Sequence, residues 1–308
     1  MVAMAMTGSA QDGGEFPRMA AQNHDASRAY VARLRDDYQL ALGAGVATIG
    51  EDMRVDGGPP VRVYGVAPEN GSSRPCVVYA HGGGWVMGDL DMHDRLCAEL
   101  ARRADCVVVS VDYRLAPEHP HPAPVSDVAR AYRWAHAHAD RLGIDRSRMT
   151  LMGSSSGGTL ALNAIGDLTD MRPALLVLVY PPIDPSLTTA SADEFAIGHV
   201  LEREQMRWFW TQYAPGPLSE DPGAVPALRA DVGGLPATLM ITAENDVLRD
   251  DAEQFAQRLA AENRLVDLVR YADEEHGFFA LVGSSTSADE AIEEVAVHVR
   301  RVSSGDAS

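Results

Sequence analysis

Cysteine is scarce in this sequence of 308 residues, which contains only Cys76, Cys97 and Cys106. Three thiols cannot all pair, and their spacing matches no metal-binding pattern. We therefore expect neither a disulfide framework nor a metal ion. Cys76 and Cys106 stand inside apolar runs typical of strands, which predicts that both are buried structural thiols.

Long apolar runs are also absent, because none approaches the ~18 residues that a transmembrane helix requires. Residues 1–14 lack the basic stretch followed by an apolar stretch that marks a secretory signal peptide. We therefore expect no stable membrane anchoring and a cytoplasmic location.

Basic residues are few, with 26 lysines and arginines against 44 aspartates and glutamates, and the formal net charge is −18. A field of this sign repels nucleic acid and anionic membrane surfaces. We therefore expect a small-molecule partner and no nucleic acid. Hydrophobic residues make up 46% of the chain, which is enough for the core of a large α/β domain.

Strand-like apolar runs alternate with helix-like stretches from residue 75 onward. This alternation predicts an α/β protein with a mostly parallel sheet and helices on both of its faces. The predicted strands cover residues 75–80, 106–111, 149–153, 174–180, 237–242 and 265–271.

Two parts of the chain fall outside the alternation. One is the N-terminal segment, residues 1–50, whose residues 27–42 have the periodicity of an amphipathic helix. The other is residues 185–235, called the cap segment below. We expect the two to form a small helical cap over the carboxyl ends of the strands, where α/β proteins bind ligands. Residues 51–184 and 236–308 then form the two parts of the catalytic domain.

The stretch around Ser155 has the pattern G-x-S-x-G between a predicted strand and a helix made of small residues. This pattern is typical of a nucleophile elbow, a sharp turn whose backbone is strained. Gly153 and Gly157 flank Ser155 at the required spacing, because a side chain at either position would collide with the turn. Ser154 and Ser156 lack this frame, so we predict that Ser155 is the nucleophile.

A serine hydroxyl needs a general base to take its proton, and the base needs an acid to orient it. In enzymes built on such an elbow, the acid and then the histidine follow the serine along the chain. His276 follows the last predicted strand, whereas His199 lies in the cap segment and His298 in the closing helix. By elimination, we predict that His276 is the base.

Asp246 follows the 237–242 strand and is the favoured acid. Its competitors are Glu244, which is too close to the strand to reach far, and Asp250 and Asp251, which fall in the next predicted helix. The carboxyl ends of parallel strands share one sheet edge. We therefore expect Asp246 near the predicted serine and histidine.

The oxyanion of a tetrahedral intermediate needs backbone N–H donors held in place. Gly82, Gly83 and Gly84 follow an apolar strand and offer such groups without side chains. The N–H of Ser156, at the start of a helix, offers another. A phosphate cradle is the rival interpretation, but no Walker or dinucleotide-binding glycine pattern is present.

In combination, these motifs resemble the hormone-sensitive-lipase-like bacterial carboxylesterases of the α/β-hydrolase superfamily. The stretches that carry the resemblance are His81–Gly84, Asp112–Pro120, Gly153–Gly158, Asp246–Leu248 and His276–Phe278. The resemblance implies an eight-stranded, mostly parallel sheet with a helical cap, and hydrolysis of short acyl esters through an acyl-enzyme without a cofactor. By the same resemblance, Ser155, Asp246 and His276 are the catalytic triad, and Gly83, Gly84 and Ser156 are the oxyanion donors.

Several residues depart from the family pattern or extend the predicted site. Ser154 and Ser156 replace residues that are usual there, and the Ser156 hydroxyl is expected to influence selectivity. Glu275, directly before His276, is interpreted either as a solvated loop residue or as a charge that raises the pKa of the histidine. Trp85 and Trp208 are predicted to contact the substrate.

Acyl transfer, lactone hydrolysis and amide hydrolysis by the same triad remain open as alternatives to ester hydrolysis. A ligand-binding receptor of hydrolase fold is less favoured, because such a protein typically loses its nucleophile or its base. The sequence leaves open the natural substrate, the acyl-length limit and whether the chain forms a homodimer.

Overall fold

The computed structural model describes residues 50–65, 72–217 and 221–302. Within these residues, eight strands form a single sheet. The strands are β1 (Glu51–Arg54), β2 (Pro60–Tyr64), β3 (Arg74–Ala80), β4 (Val107–Val111), β5 (Ile144–Ser154), β6 (Leu175–Val179), β7 (Ala237–Asn245) and β8 (Leu265–Glu275).

Helices follow most of the parallel strands. They are α1 (Asp94–Ala104), α2 (Ala123–Ala137), α3 (Ala139–Leu142), α4 (Ser156–Ala164), α5 (Ala190–Glu194), α6 (Arg203–Tyr213), α7 (Arg249–Ala261) and α8 (Thr286–Arg301). Short 3₁₀ helices occupy Ile165–Asp167, Pro226–Leu228 and Phe278–Leu281.

The strand order is β1-β2-β4-β3-β5-β6-β7-β8. Strands β3 to β8 run parallel to one another, whereas β1 and β2 are joined to the sheet by antiparallel pairing. The predicted mostly parallel sheet is confirmed. Because β5, β7 and β8 are parallel, the segments that follow them leave the sheet at the same edge.

Alternate side chains of the central strands enter two separate cores, as the period of a strand requires. In β3, Cys76 and Val78 belong to the core that also contains side chains of α2, α4 and α7. Val77 and Tyr79 point to the other face and pack with α1 and α8. All of these strand side chains are buried, which explains why the sequence reads as continuous apolar runs. The cysteines are free and buried, as predicted for Cys76 and Cys106.

The main differences from the sequence-based prediction lie at strand ends. Strands β7 and β8 continue to Asn245 and Glu275, which pair with each other across a register shift. Asp246 and His276 therefore follow their strands directly, instead of after a loop of several residues. The sequence-based prediction did not name α1, although Leu96, Leu100 and Ala104 recur there at helical spacing. The predicted helix over 27–42 lies outside the described residues.

The cap segment contributes α5 and α6, between β6 and β7. Thr189 caps α5 by accepting a hydrogen bond from the Ala192 N–H, and Glu202 forms a capping box at the start of α6. Among the described residues, no helix combines the length and hydropathy needed to cross a membrane.

Candidate active site

Ser155 lies at the turn between β5 and α4, and its backbone has φ 51° and ψ −128°. A non-glycine residue rarely adopts this conformation, so the turn is strained. The flanking glycines permit it: a Cβ on Gly153 would overlap the Gly157 carbonyl, and one on Gly157 would overlap the Ala80 carbonyl. The predicted reason for the glycine spacing is therefore confirmed.

The structure brings the three predicted residues of the triad together at the carboxyl edge of the sheet. The Ser155 Oγ lies 2.8 Å from His276 Nε2. His276 Nδ1 in turn lies 2.6 Å from the Asp246 Oδ2. The Asp246 side chain is fully buried and the His276 side chain is 10% exposed. In this arrangement the imidazole can take the hydroxyl proton while the carboxylate holds the ring in place.

The other oxygen of Asp246 is also fixed, since its Oδ1 accepts a hydrogen bond of 2.9 Å from the Leu248 N–H. The competing acids have partners elsewhere. Glu244 accepts from the Asp273 N–H, while Asp250 and Asp251 accept from backbone N–H groups near the start of the cap segment. Each competing carboxylate is thus hydrogen-bonded to a backbone N–H group, whereas the Asp246 Oδ2 lies 2.6 Å from His276 Nδ1.

The glycine loop after β3 lies against the elbow. A Cβ on Gly82 would stand 3.3 Å from the Ser155 Cβ, so the two segments are in contact. Gly83 and Gly84 have φ angles of +126° and +59°, which favour glycine. In the described part of the chain, no hydrogen bond is formed by the N–H groups of Gly83 and Gly84. Ser156 begins α4, where the first N–H groups of a helix have no intrahelical acceptor.

Ser155 and His276 open into a cavity with a volume of about 120 Å³. The wall is mostly apolar, and its sheet side comes from the glycine loop, Tyr180 and the histidine loop. The cap segment contributes Val200, Leu201, Gln205, Met206 and Phe209 to the wall. The glycine loop and the cap segment thus both border the cavity that contains Ser155.

A family model described as alpha/beta hydrolase fold matches residues 77–280. The carboxylic ester hydrolase LipN of Mycobacterium tuberculosis is 38% identical over 257 residues, which cover 79% of this chain and 68% of that protein. The ethyl acetate hydrolase of Pseudomonas putida is 35% identical over 239 residues, covering 76% of this chain and 75% of that protein. The structure of EstE1, a thermophilic carboxylesterase from a metagenomic library, matches with a TM-score of 0.81 at 35% identity, covering 92% and 98% of the two chains.

The chain belongs to the α/β-hydrolase fold family. The resemblance to the hormone-sensitive-lipase-like esterases is confirmed, as is the fold that it implied.

The two tryptophans that were predicted to contact the substrate lie elsewhere in this hydrolase. Trp85 is fully buried, with its indole stacked on Tyr213 at 4.5 Å and tilted against Trp210 at 4.6 Å. Trp208 is also buried, beside Phe209. Neither forms part of the cavity wall. The reason is that α6 has two apolar faces. Met206 and Phe209 belong to the face that lines the cavity, whereas Trp210 and Tyr213 belong to the face that packs against Trp85.

The predicted site included neither Phe209 nor Tyr180, which both line the cavity. A Cβ on Gly84 would overlap the Phe209 ring, so the glycine loop and α6 are in direct contact. Tyr180 directly follows β6, and its ring centroid lies 4.6 Å from that of His276. Its position after a parallel strand was a usable signal, because that edge of the sheet carries the site.

A second histidine of the hydrolase, His93, also lines the cavity. Burial lowers its pKa to about 3. A base this weak is poorly matched to taking a serine proton near neutral pH. His93 Nδ1 is instead 3.1 Å from the Tyr79 hydroxyl, which lies 2.7 Å from the Ser154 Oγ.

The serines beside the nucleophile differ in their access to the cavity. Ser154 lines it, whereas Ser156 is fully buried and its side chain does not reach the wall. The Ser156 hydroxyl, which was expected to influence selectivity, therefore lies outside the cavity wall. Ser156 remains a candidate for the site only through its N–H.

Glu275 is not a solvated loop residue. It ends β8, and its side chain is 30% exposed. Both of its carboxylate oxygens are directed to the cap segment, where the Val200 N–H and the His199 ring are their partners.

Proposed function

We propose that this hydrolase is a serine carboxylesterase that cleaves short-chain acyl esters. The observation that carries the proposal is the hydrogen-bonded series Ser155–His276–Asp246, which opens into a small, mostly apolar cavity. The names of the relatives, which include a carboxylic ester hydrolase and an ethyl acetate hydrolase, support the same chemistry.

In the proposed acylation step, the Ser155 Oγ attacks the ester carbonyl carbon as His276 Nε2 takes its proton. The carbonyl electron pair moves to oxygen, and the N–H groups of Gly83, Gly84 and Ser156 donate to that oxyanion. When the intermediate collapses, the alkoxide leaves and takes the proton from His276. Asp246 keeps the ring oriented and stabilises its charged form.

Deacylation repeats these events with water as the nucleophile. His276 takes a proton from water as the hydroxide adds to the acyl carbon. Collapse then breaks the bond to the Ser155 Oγ, which recovers its proton, and the carboxylic acid is released. The triad and the three N–H donors supply each proton and charge contact in this cycle.

The cavity size determines which acyl groups are expected to be good substrates. Met206 and Phe209 bound it on the cap side, and Tyr180 bounds it on the sheet side. A short acyl chain can be buried there, whereas a long chain would have to displace the cap segment.

We further propose that residues 185–235 act as the cap of the catalytic domain. A cytoplasmic location and a homodimer stay predictions.

The test measures hydrolysis of p-nitrophenyl esters of increasing acyl length by the wild type and by Ser155→Ala. We expect the highest kcat/KM for short acyl chains, and a loss of about 10⁴-fold or more in Ser155→Ala because the nucleophile is gone. Ser147→Ala, at an exposed serine of β5, is the matched control and should retain wild-type turnover. A wild type that hydrolyses no ester, or a Ser155→Ala variant that remains active, would contradict the proposal.

Acyl transfer can be distinguished in the same assay by adding a competing alcohol. If the acyl-enzyme is resolved by water, the free acid remains the main product. Predominant formation of a new ester would indicate a transferase with the same triad.

A further inference from the structure

Glu275 connects the loop of the catalytic histidine to the cap segment. It is the last residue of β8 and directly precedes His276. Its Oε2 accepts a hydrogen bond of 2.7 Å from the Val200 N–H, and its Oε1 lies 3.2 Å from His199 Nδ1. Each oxygen of the carboxylate therefore has its own partner in the cap segment.

The cap residues that Glu275 holds belong to a short closed loop, residues 196–202. The Gly198 N–H donates to the Glu202 side chain at 2.9 Å, and the Arg203 N–H donates to the Ala196 carbonyl at 3.2 Å. These bonds fix the shape of the loop but do not tie it to the sheet. Leu201 of this loop packs in the main core, and Glu275 adds a polar attachment of the loop to the end of β8. Together with its internal hydrogen bonds, this attachment can position the loop as a unit.

This loop also forms part of the cavity wall, because Val200 and Leu201 line the cavity beside His276. Val200 is thus held through its backbone N–H by Glu275 and is itself part of the cavity wall. Charge-assisted hydrogen bonds to a carboxylate are stronger than neutral ones, and partial burial reduces competition from water. Loss of the carboxylate should let this part of the wall move away from the histidine.

We propose that Glu275 is a positioning residue that fastens the 196–202 loop to the histidine loop and thereby sets the acyl-length limit of the cavity. The inference rests on the proposed ester hydrolysis. It assigns Glu275 a role in substrate fit, through the cap segment, instead of a role in proton transfer. His276 itself is oriented through Nδ1 by Asp246 and needs no support from this carboxylate.

Three variants test the role of Glu275. Glu275→Ala removes both contacts. Glu275→Gln retains one carbonyl oxygen, which can still accept from the Val200 N–H. Glu274→Gln is the matched control, because it removes the same charge from the adjacent half-buried residue.

The kinetic readout is the acyl-length profile with p-nitrophenyl esters. For Glu275→Ala we expect a rise of about tenfold in KM for the butanoate ester, with kcat within about twofold. The ratio of kcat/KM for octanoate to that for butanoate should also rise about tenfold. Glu275→Gln should show about a threefold effect on both quantities, and Glu274→Gln none.

Two kinetic results would overturn the inference. One is a fall in kcat for Glu275→Ala at unchanged KM and unchanged acyl-length ratio, which would assign the carboxylate to proton transfer. The other is an equal effect of Glu274→Gln, which would mean that only the net charge of the β8 end matters.

A structural readout keeps the test independent of activity. Hydrogen exchange at the Val200 amide should be about tenfold faster in Glu275→Ala than in the wild type and unchanged in Glu274→Gln. Equal exchange in Glu275→Ala and the wild type would contradict the fastening role. If the wild type hydrolysed no ester, the proposed function would fail, whereas the exchange measurement would still decide whether Glu275 holds the loop.

Discussion

At the scale of single residues, the Asp246 carboxylate is the most completely constrained group of the site. It is 1% exposed, one of its oxygens faces His276 and the other accepts from the Leu248 N–H. An aspartate in this position selects one histidine tautomer, with the proton on Nδ1 and Nε2 free to accept the serine proton. We therefore expect activity to depend on the carboxylate group of Asp246 and not only on a side chain of the same volume.

We predict that Asp246→Asn lowers kcat by about 10⁴-fold, because the amide favours the wrong histidine tautomer and cannot stabilise the imidazolium. The measurement is kcat on a p-nitrophenyl ester, together with a thermal melt to show that the variant is folded. Glu244→Gln is the control, since Glu244 is the nearest competing acid and binds the Asp273 N–H instead. A folded Asp246→Asn protein with kcat within tenfold of the wild type would reject Asp246 as the acid.

Single residues also show where sequence reasoning succeeds and where it fails. The positions of Ser155, Asp246 and His276 were predictable, because each follows a parallel strand and those strands end at one edge. The position of Trp85 was not predictable, because its backbone adopts φ 64° in the turn and its indole packs against Trp210. An aromatic residue beside this glycine loop can pack against any of several apolar surfaces, and the sequence does not indicate which of them it contacts.

At the scale of secondary-structure elements, the elbow depends on close contact between α4 and the ends of β3 and β5. Gly157, in the first turn of α4, lies against the Ala80 and His81 carbonyls, and a Cβ there would overlap both. Backbone oxygens at a strand end cannot yield as a flexible side chain can. The helix would have to shift, and Ser155 would move with it.

We predict that Gly157→Ala destabilises the protein by about 3 kcal/mol and removes most esterase activity, as expected for overpacking against backbone. Urea denaturation and kcat/KM measure the two effects. Gly166→Ala is the matched control, because Gly166 is an exposed helical glycine whose added Cβ would stand 4.0 Å from its nearest neighbour, on Arg229. Its stability should change by less than about 1 kcal/mol. Equal effects of the two substitutions would contradict the packing account.

The strand ends show why element boundaries were harder to predict than element types. The apolar runs of β7 and β8 end at Thr242 and Tyr271, but hydrogen bonding continues to Asn245 and Glu275. Pairing between backbones does not require apolar side chains, so composition gives no warning of the extension. The extension has a consequence for the site, because it places Glu275 where it can reach the cap segment.

At the scale of the whole molecule, the alternation of strands and helices was sufficient to predict the sheet and the edge that carries the site. The contacts of the cap segment with that edge were not predictable. They depend on single polar side chains, such as Glu275 on Val200 and Asp250 on Ser191. Such pairs join residues distant in sequence, and no local pattern marks them.

Asp251 is a buried acid where the cap segment joins the sheet, and it should make stability depend on pH. Its Oδ2 accepts a hydrogen bond of 2.7 Å from the Asp184 N–H, and its residue is 8% exposed. Burial raises its pKa from 3.8 to about 7, and the negative charges of Asp184 and Asp250 add to the shift. In the folded protein Asp251 therefore keeps its proton well above the pH at which an unfolded chain releases it.

Between about pH 4 and pH 7 Asp251 is protonated in the folded state and ionised in the unfolded state, so its contribution to the free energy of unfolding falls as pH rises. For a shift of roughly three pKa units, the loss of stability attributable to Asp251 is at most about 4 kcal/mol and is complete above pH 7.

Asp251→Asn removes the titration and leaves an oxygen that can accept from the Asp184 N–H. We predict that the variant gains stability relative to the wild type at pH 8 compared with pH 5. Urea denaturation of both proteins at the two pH values measures this difference, in which all other titrating groups cancel. Parallel pH profiles for the two proteins would show that Asp251 does not carry the predicted proton.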